Sequence, residues 1–226
     1  MTGQIIIING TSGSGKSTTC ELFAKSAEDF WLVYGIDHFL GSTYPKAYSH
    51  GGERSEQGIY TYPVDSNDPN SAWRWGMQAQ ALKAFAVFHE WVATAAREGC
   101  NIIVDHILLT DPPLLQDCIR RLHGLPVLIV TLKPDYEVLL KRVEQRNIGK
   151  RFSNSNLNEE QVAKSKERLA RLRPWFYEEV YRNTVCDLAI DTVAHTPESV
   201  CAQIKARLAE GPGSAVAELA RQFAIQ

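Results

Sequence analysis

The chain has 226 residues, 44% of them hydrophobic and 22% charged, which suffices for one domain with its own core, or a core plus a lid. A net charge of −2 and a pI near 6.3 give no general case for binding nucleic acid or a membrane surface. Five scattered cysteines without a Cys-x-x-Cys pair argue against a zinc site or disulfide framework, and with no basic leader the expected location is cytoplasmic.

The first element is expected at 4–9, where Ile5-Ile6-Ile7-Ile8 reads as a fully buried strand. Gly10-Thr11-Ser12-Gly13-Ser14-Gly15-Lys16-Ser17 follows, and a helix opens near Gly15. This is Gly-x-x-x-x-Gly-Lys-Ser in the strand–loop–helix setting that a phosphate-binding loop requires. Glycines permit backbone angles that a Cβ forbids, so several amides can converge on one phosphate chain. The helix start adds free N–H groups and the positive end of its dipole. Gly10, Thr11, Ser12, Gly13, Ser14, Gly15, Lys16, Ser17 and Thr18 are therefore the expected nucleotide-binding residues. Lys16 would reach the β- and γ-phosphates, and the Ser17 hydroxyl would take one position on Mg²⁺.

A second strand at 31–36 leads into Asp37. The stretch 41–70 is rich in Gly, Ser, Tyr, Asp and Pro and reads as irregular, with 38–75 shaping a substrate site. Phe39, Tyr44, Tyr48, Tyr60, Tyr62, Trp73 and Trp75 crowd it, either to wall a pocket for a flat substrate or simply to pack. Met77, Ala81, Phe85, Phe88 and Val92 set a helical stripe over 71–98, stopped by Gly99. A strand at 101–108 contains Ile102-Ile103-Val104-Asp105, and Asp111-Pro112 reads as cap and first-turn proline of a helix ending at Gly124. A strand at 126–132 precedes a helix from Pro134 to about Arg146, then a polar lid over about 146–160. The remainder reads as a helix over 158–182 broken or kinked at Pro174, a strand at 187–190 and a helix at 197–209. After Gly211-Pro212-Gly213, the segment 211–226 reads as a tail helix that either mediates a homodimer or docks on its own sheet. Strands separated by helices imply an α/β fold with a five-stranded parallel sheet covered on both faces.

Asp105, at the end of an apolar strand, would hold Mg²⁺ or orient Ser17, unless it only caps a turn. Asp37 would share the crevice at the carboxyl ends of the strands and accept a proton from an attacking hydroxyl; its other reading is a hydrogen bond to loop amides. His38 and His106 are secondary base candidates. Arg142 and Arg146 share a helix face and Arg151 follows them, in a stretch, 141–173, holding ten Lys/Arg against four Glu. Guanidinium groups there would stabilise a transferring phosphoryl group on closure, although one of the three can instead pair with Glu144. Leu132-Lys133-Pro134-Asp135 lacks the side-chain amide or hydroxyl of a guanine reader, and no Asp-x-x-Gly switch follows either strand-end aspartate, which excludes a GTPase.

With these residues in place, the chain resembles the chloramphenicol phosphotransferase family from about residue 4 to 208. The specific part is Gly35-Ile36-Asp37 after a Trp-containing strand, then the long helix leading into Ile102-Ile103-Val104-Asp105. The resemblance implies a three-layer fold like that of shikimate and adenylate kinases, sheet order 2-3-1-4-5, with ATP and Mg²⁺ used to phosphorylate a hydroxyl. It also implies that Asp37 is the base. The loop at 41–70 has its own composition, and the tail from Gly211 runs past the family's usual end. The expected activity is γ-phosphoryl transfer to a small hydroxylated molecule, an antibiotic among the candidates. The competing readings are a nucleoside, sugar or shikimate-like kinase, and a nucleotide-dependent switch. Few arginines lie in 38–98, which favours a neutral or weakly charged acceptor.

Overall fold

The computed structural model describes residues 2–145 and 159–225. Its strands are β1 (Ile5–Asn9), β2 (Trp31–Gly35), β3 (Ile59–Pro63), β4 (Trp73–Met77), β5 (Asn101–His106), β6 (Val127–Leu132) and β7 (Leu188–Ile190). The helices are α1 (Lys16–Ser26), the single turn α2 (Ile36–His38), α3 (Ala79–Arg97), α4 (Leu114–Leu122) and α5 (Tyr136–Gln145). Then come α6 (Glu159–Val180), α7 (Pro197–Ala209) and α8 (Ala215–Gln222).

Five strands pair in parallel in the order β2-β5-β1-β6-β7. Numbered among themselves they run 2-3-1-4-5; the labels shift because the antiparallel pair β3–β4 lies between the second and third sheet strands in the chain. Residues in a strand point alternately to its two faces, and the buried isoleucines of β1 divide accordingly. Ile5 and Ile7 join a core with Phe85 and Phe88 of α3 and Leu219 of α8. Ile6 and Ile8 join another with Phe23 of α1 and Ile204 of α7. Each such side chain gains roughly 1.5–3 kcal/mol by leaving water, so a strand of isoleucines is held from both sides. The sheet thus sits between two helical layers, with the carboxyl ends of its strands free to build a site.

Four expectations need correction. The stretch 41–70 is not irregular throughout: it holds short helical turns and then β3, which pairs with β4. The helix expected from 71 begins at Ala79, because Trp73-Arg74-Trp75 is a strand facing Tyr62, Thr61 and their neighbours. Tyr60 stands opposite Gly76, and a Cβ there would run into the Tyr60 ring, so the hairpin depends on that glycine. Asp65 and Asp68 shape its loop by accepting the amides of Asn67 and Asn70, each at 2.8 Å. Helix α4 begins at Leu114 rather than at Pro112. The amides of Thr110 and Asp111 donate to Glu179 Oε1 at 3.2 and 3.0 Å, which ties this turn to α6 instead of opening a helix. Finally, of the break or kink expected at Pro174, the break does not occur: α6 continues through it as one helix. The carbonyl that loses its partner there belongs to Ala170, on an exposed part of the helix where water can serve it.

Of the two placements expected for the tail, the docked one is observed. Ala215, Val216, Leu219 and Ala220 of α8 are buried in the core. Asp187 Oδ1 accepts the amides of Ser214 and Ala215 at 2.6 and 2.9 Å, capping the helix from a distant part of the chain. Among the described residues, no helix is long and apolar enough to cross a membrane.

Candidate active site

The loop between β1 and α1 is shaped by two glycines for different reasons. Gly13 has φ 92° and lies beneath α5, where a Cβ would come within 2.7 Å of Val143 Cγ2. Gly15, at φ 100°, has nothing within 4 Å of the same position, so its need is purely conformational. The loop is pinned from behind by Tyr181, whose hydroxyl donates to the Leu132 carbonyl at 2.7 Å and accepts the Thr11 amide at 3.2 Å. Burial raises the Tyr181 pKa, which keeps that hydroxyl protonated and donating.

Lys16 is nearly buried; its ammonium donates to the Thr11 carbonyl at 3.1 Å and lies 3.5 Å from Asp105 Oδ1. Ser17 Oγ donates to Asp105 Oδ2 at 2.6 Å, so the two expected metal-binding residues meet. Gly35 makes room for this cluster, since β2 passes so close that a Cβ would lie 3.1 Å from Asp105 Cβ. Asp105 Oδ1 is buried with no hydrogen-bond partner among the described residues. The Ser17 hydroxyl and, beside it, the Asp105 Oδ1 that lacks a hydrogen bond suit Mg²⁺, a hard cation that takes few protein ligands and fills its remaining positions with water and phosphate oxygens.

Strand β2 ends at Gly35, and Asp37 stands in α2 just beyond it. Asp37 lines a cavity of about 150 Å³ together with Thr11, Ser12 and Lys16. The remaining wall is largely apolar: Leu40, Trp75 of the hairpin, Leu139 and Val143 of α5, and Leu172 and Phe176 of α6. Trp75 and Phe176 pack edge to face at 4.8 Å. Among the described residues, the one cation in this wall besides Lys16 is Arg173, contributed by α6.

Arg142 lies elsewhere. Its guanidinium donates to Thr192 Oγ1 at 2.9 Å and to the Thr192 carbonyl at 2.7 Å. It borders a second cavity, about 270 Å³, on the other side of the loop with Gly13, Gly15, Thr18, His195 and Pro197. Arg142 thus faces the flank of the phosphate loop and not the Asp37 crevice. Arg146 and Arg151, and most of the expected lid, lie outside the described residues.

A family model described as chloramphenicol phosphotransferase-like protein matches residues 3–209. The chain belongs to this family. No curated protein sequence matches it significantly. Among solved structures, the APS kinase CysC of Mycobacterium tuberculosis, in complex with AMPPNP and APS, is 14% identical with a TM-score of 0.54, covering 92% of this chain and 98% of that one. A sugar kinase from Janibacter sp. HTCC2649 is 17% identical with a TM-score of 0.51, covering 92% and 95%. At these identities the likeness is one of fold, a P-loop kinase architecture spanning nearly the whole chain.

Within this chloramphenicol phosphotransferase-like chain, three positions qualify the sequence reading. His106 does not reach the crevice: it is fully buried, with Nε2 2.8 Å from His89 Nε2, and His89 Nδ1 lies 2.7 Å from Asp117 Oδ2. Burial pushes both imidazoles below their ordinary pKa, so they are neutral parts of the packing of α3 and α4 on the end of β5, and His106 is no surface base. His38, by contrast, is exposed and rests against the Tyr34 ring, 5.5 Å away. Tyr181 and Arg173 were not singled out, since each meets residues distant in the chain, Thr11 for Tyr181 and Asp37 for Arg173, which periodicity cannot reveal.

Proposed function

We propose that the chain is an ATP-dependent phosphotransferase that moves the γ-phosphoryl group to a hydroxyl of a small molecule, with an antibiotic as one candidate acceptor. The observation that carries this reading is the single cavity shared by Asp37, Lys16, Thr11 and Ser12 and closed by an apolar wall. A carboxylate beside the phosphate loop, in a pocket with an apolar lining, fits proton removal from an alcohol and the exclusion of water. The loop amides from Gly10 to Thr18, with Lys16, hold the polyphosphate; Ser17 and Asp105 hold Mg²⁺, which when bound neutralises charge on the phosphates. Asp37 takes the hydroxyl proton as the acceptor oxygen bonds to the γ-phosphorus and the bond to the bridging oxygen of ADP breaks. Arg146 and Arg151, which lie outside the described residues, would supply positive charge to the transferring phosphoryl group. Arg142, on the other flank of the loop, steadies the nucleotide end. Arg173, which lies outside 38–98, adds a donor to this wall and so widens the expected neutral acceptor to one bearing a carbonyl or carboxylate near the reacting hydroxyl, as in the shikimate-like reading.

The test is a panel of hydroxylated compounds scored for acceleration of ADP release from Mg·ATP. Stimulation by a small alcohol supports the reading. Stimulation only by a protein partner would favour the nucleotide-dependent switch instead.

A further inference from the structure

A larger cavity, about 470 Å³, lies between the β3–β4 hairpin, the loop at 50–56 and the outer turns of α6. It shares no lining residue with the Asp37 crevice. Helix α6 walls both: Leu169, Leu172, Arg173 and Phe176 face the crevice, while Lys164, Glu167, Arg168 and Arg171 face this second space.

Its charges are arranged unevenly. Glu56, Lys164 and Glu167 are exposed, and Lys164 pairs with Glu160 at 2.7 Å. The half-buried groups are His50, Ser55, Tyr60, Thr61, Trp73, Arg168 and Arg171, with no carboxylate among them. Arg171 is satisfied: it donates to the Ser71 and Pro69 carbonyls and lies 5.1 Å over the Trp73 ring, fastening α6 to the hairpin. Arg168 is not. Its guanidinium is seated against the loop, 3.0 Å from where a Cβ of Gly51 would be, and that residue's φ of 80° suits glycine. Among the described residues Arg168 has neither a hydrogen bond nor an ion pair, and its Nε is buried without a partner. His50 Nε2 on the same cavity is likewise buried and unpartnered. A half-buried guanidinium with no counter-charge is costly, and a planar oxyanion removes that cost by taking two parallel N–H bonds.

We infer that this cavity binds a small organic oxyanion, a carboxylate or phosphate monoester on a flat body, held by Arg168 and His50 and walled by Tyr60 and Trp73. The volume falls within the range of small-molecule pockets, and the aromatic wall suits a ring. His50 is pushed down to about 4 by burial and the nearby Arg168 charge, so it meets the ligand as a neutral imidazole near pH 7. A bound anion would favour the protonated form and move that titration upward.

The experiment is an NMR titration of the full chain with benzoate and, separately, phenyl phosphate, following His50, Gly51 and Trp73. These signals report the cavity apart from the phosphate loop, so the outcome stands whether or not the kinase reading holds. Saturable shifts at all three residues are expected with at least one probe, and whichever probe binds tells carboxylate from phosphate. Arg168→Gln should weaken that binding by about tenfold or more, and the His50 titration should move to higher pH at saturation. His50→Gln provides the same test should the arginine variant not fold. No saturation with either probe overturns the assignment, and so does equal affinity in the parent and the substituted chain.

Discussion

On the proposed phosphate side of the crevice the described groups lie between Gly10 and Thr18, apart from Asp105, Arg142 on the flank of the loop and the supporting Tyr181. The acceptor side gathers Asp37 from α2, Trp75 from β4, Leu139 from α5 and Arg173 from α6. The first wall is made of backbone: left-handed glycines, a helix start and amides that any phosphate chain would fit. The second is made of side chains brought together only by folding. A loop of this kind therefore announces its ligand class within one short segment, whereas an acceptor pocket is set by the meeting of distant elements. On the proposed reading, chemistry common to many kinases sits in the local wall and selectivity in the assembled one.

Substitutions on the two walls should separate cleanly. The largest effect is expected at Asp37. Asp37→Asn should lower acceptor phosphorylation by about 10²–10⁴-fold while Mg·ATP affinity, measured by titration, stays at the parent value. Next comes Tyr181→Phe, which removes the hydroxyl joining Thr11 to Leu132 and leaves buried backbone groups unpaired. A loss of about 1–3 kcal/mol in urea unfolding is expected, with weaker nucleotide binding and an unchanged acceptor KM. On the opposite wall, Arg173→Met should raise acceptor KM by about tenfold and leave the KM for ATP alone. A shift in the ATP constant instead would place Arg173 on the wrong side. Gly15→Ala should cost about 1–2 kcal/mol, from left-handed backbone strain alone, because its Cβ would meet nothing.

The smallest change per step is a pH slope. His50, His89 and His106 all have folded pKa values below the ordinary histidine value, chiefly through burial. The unfolded chain therefore binds more protons below about pH 6.5, so stability present above that value declines as pH falls, through about 4 for His50. His50→Gln should flatten the decline in urea midpoint between pH 6.5 and 4; an unchanged slope would remove His50 from the account.

The contrast between the walls also explains what was legible in the sequence. Strand β1, the glycine loop and α1 follow from a run of isoleucines and a fixed glycine spacing, and Asp105 is marked by ending an apolar strand. Helix α7 was legible at both ends, expected over 197–209 and observed over Pro197–Ala209; the structure adds Thr196, whose hydroxyl accepts the Ser199 amide. The hairpin was not. The stripe beginning at Met77 continues smoothly into α3, so the two-residue alternation of Trp73 and Trp75 was absorbed into a helix. Pairing with β3 decides the matter, and that depends on Gly76 admitting the Tyr60 ring. Arg142 showed the reverse problem. Its spacing from Arg146 gave the helix face, but only the fold places Thr192 where it captures the guanidinium.

The most direct measurement is a single-turnover reaction with γ-labelled ATP, Mg²⁺ and a panel of hydroxylated acceptors, run with the parent chain and Asp37→Asn. The account predicts label on an acceptor hydroxyl with the parent and almost none with the variant, although both bind nucleotide. Label released only as inorganic phosphate across the panel, or equal transfer by both chains, would contradict it.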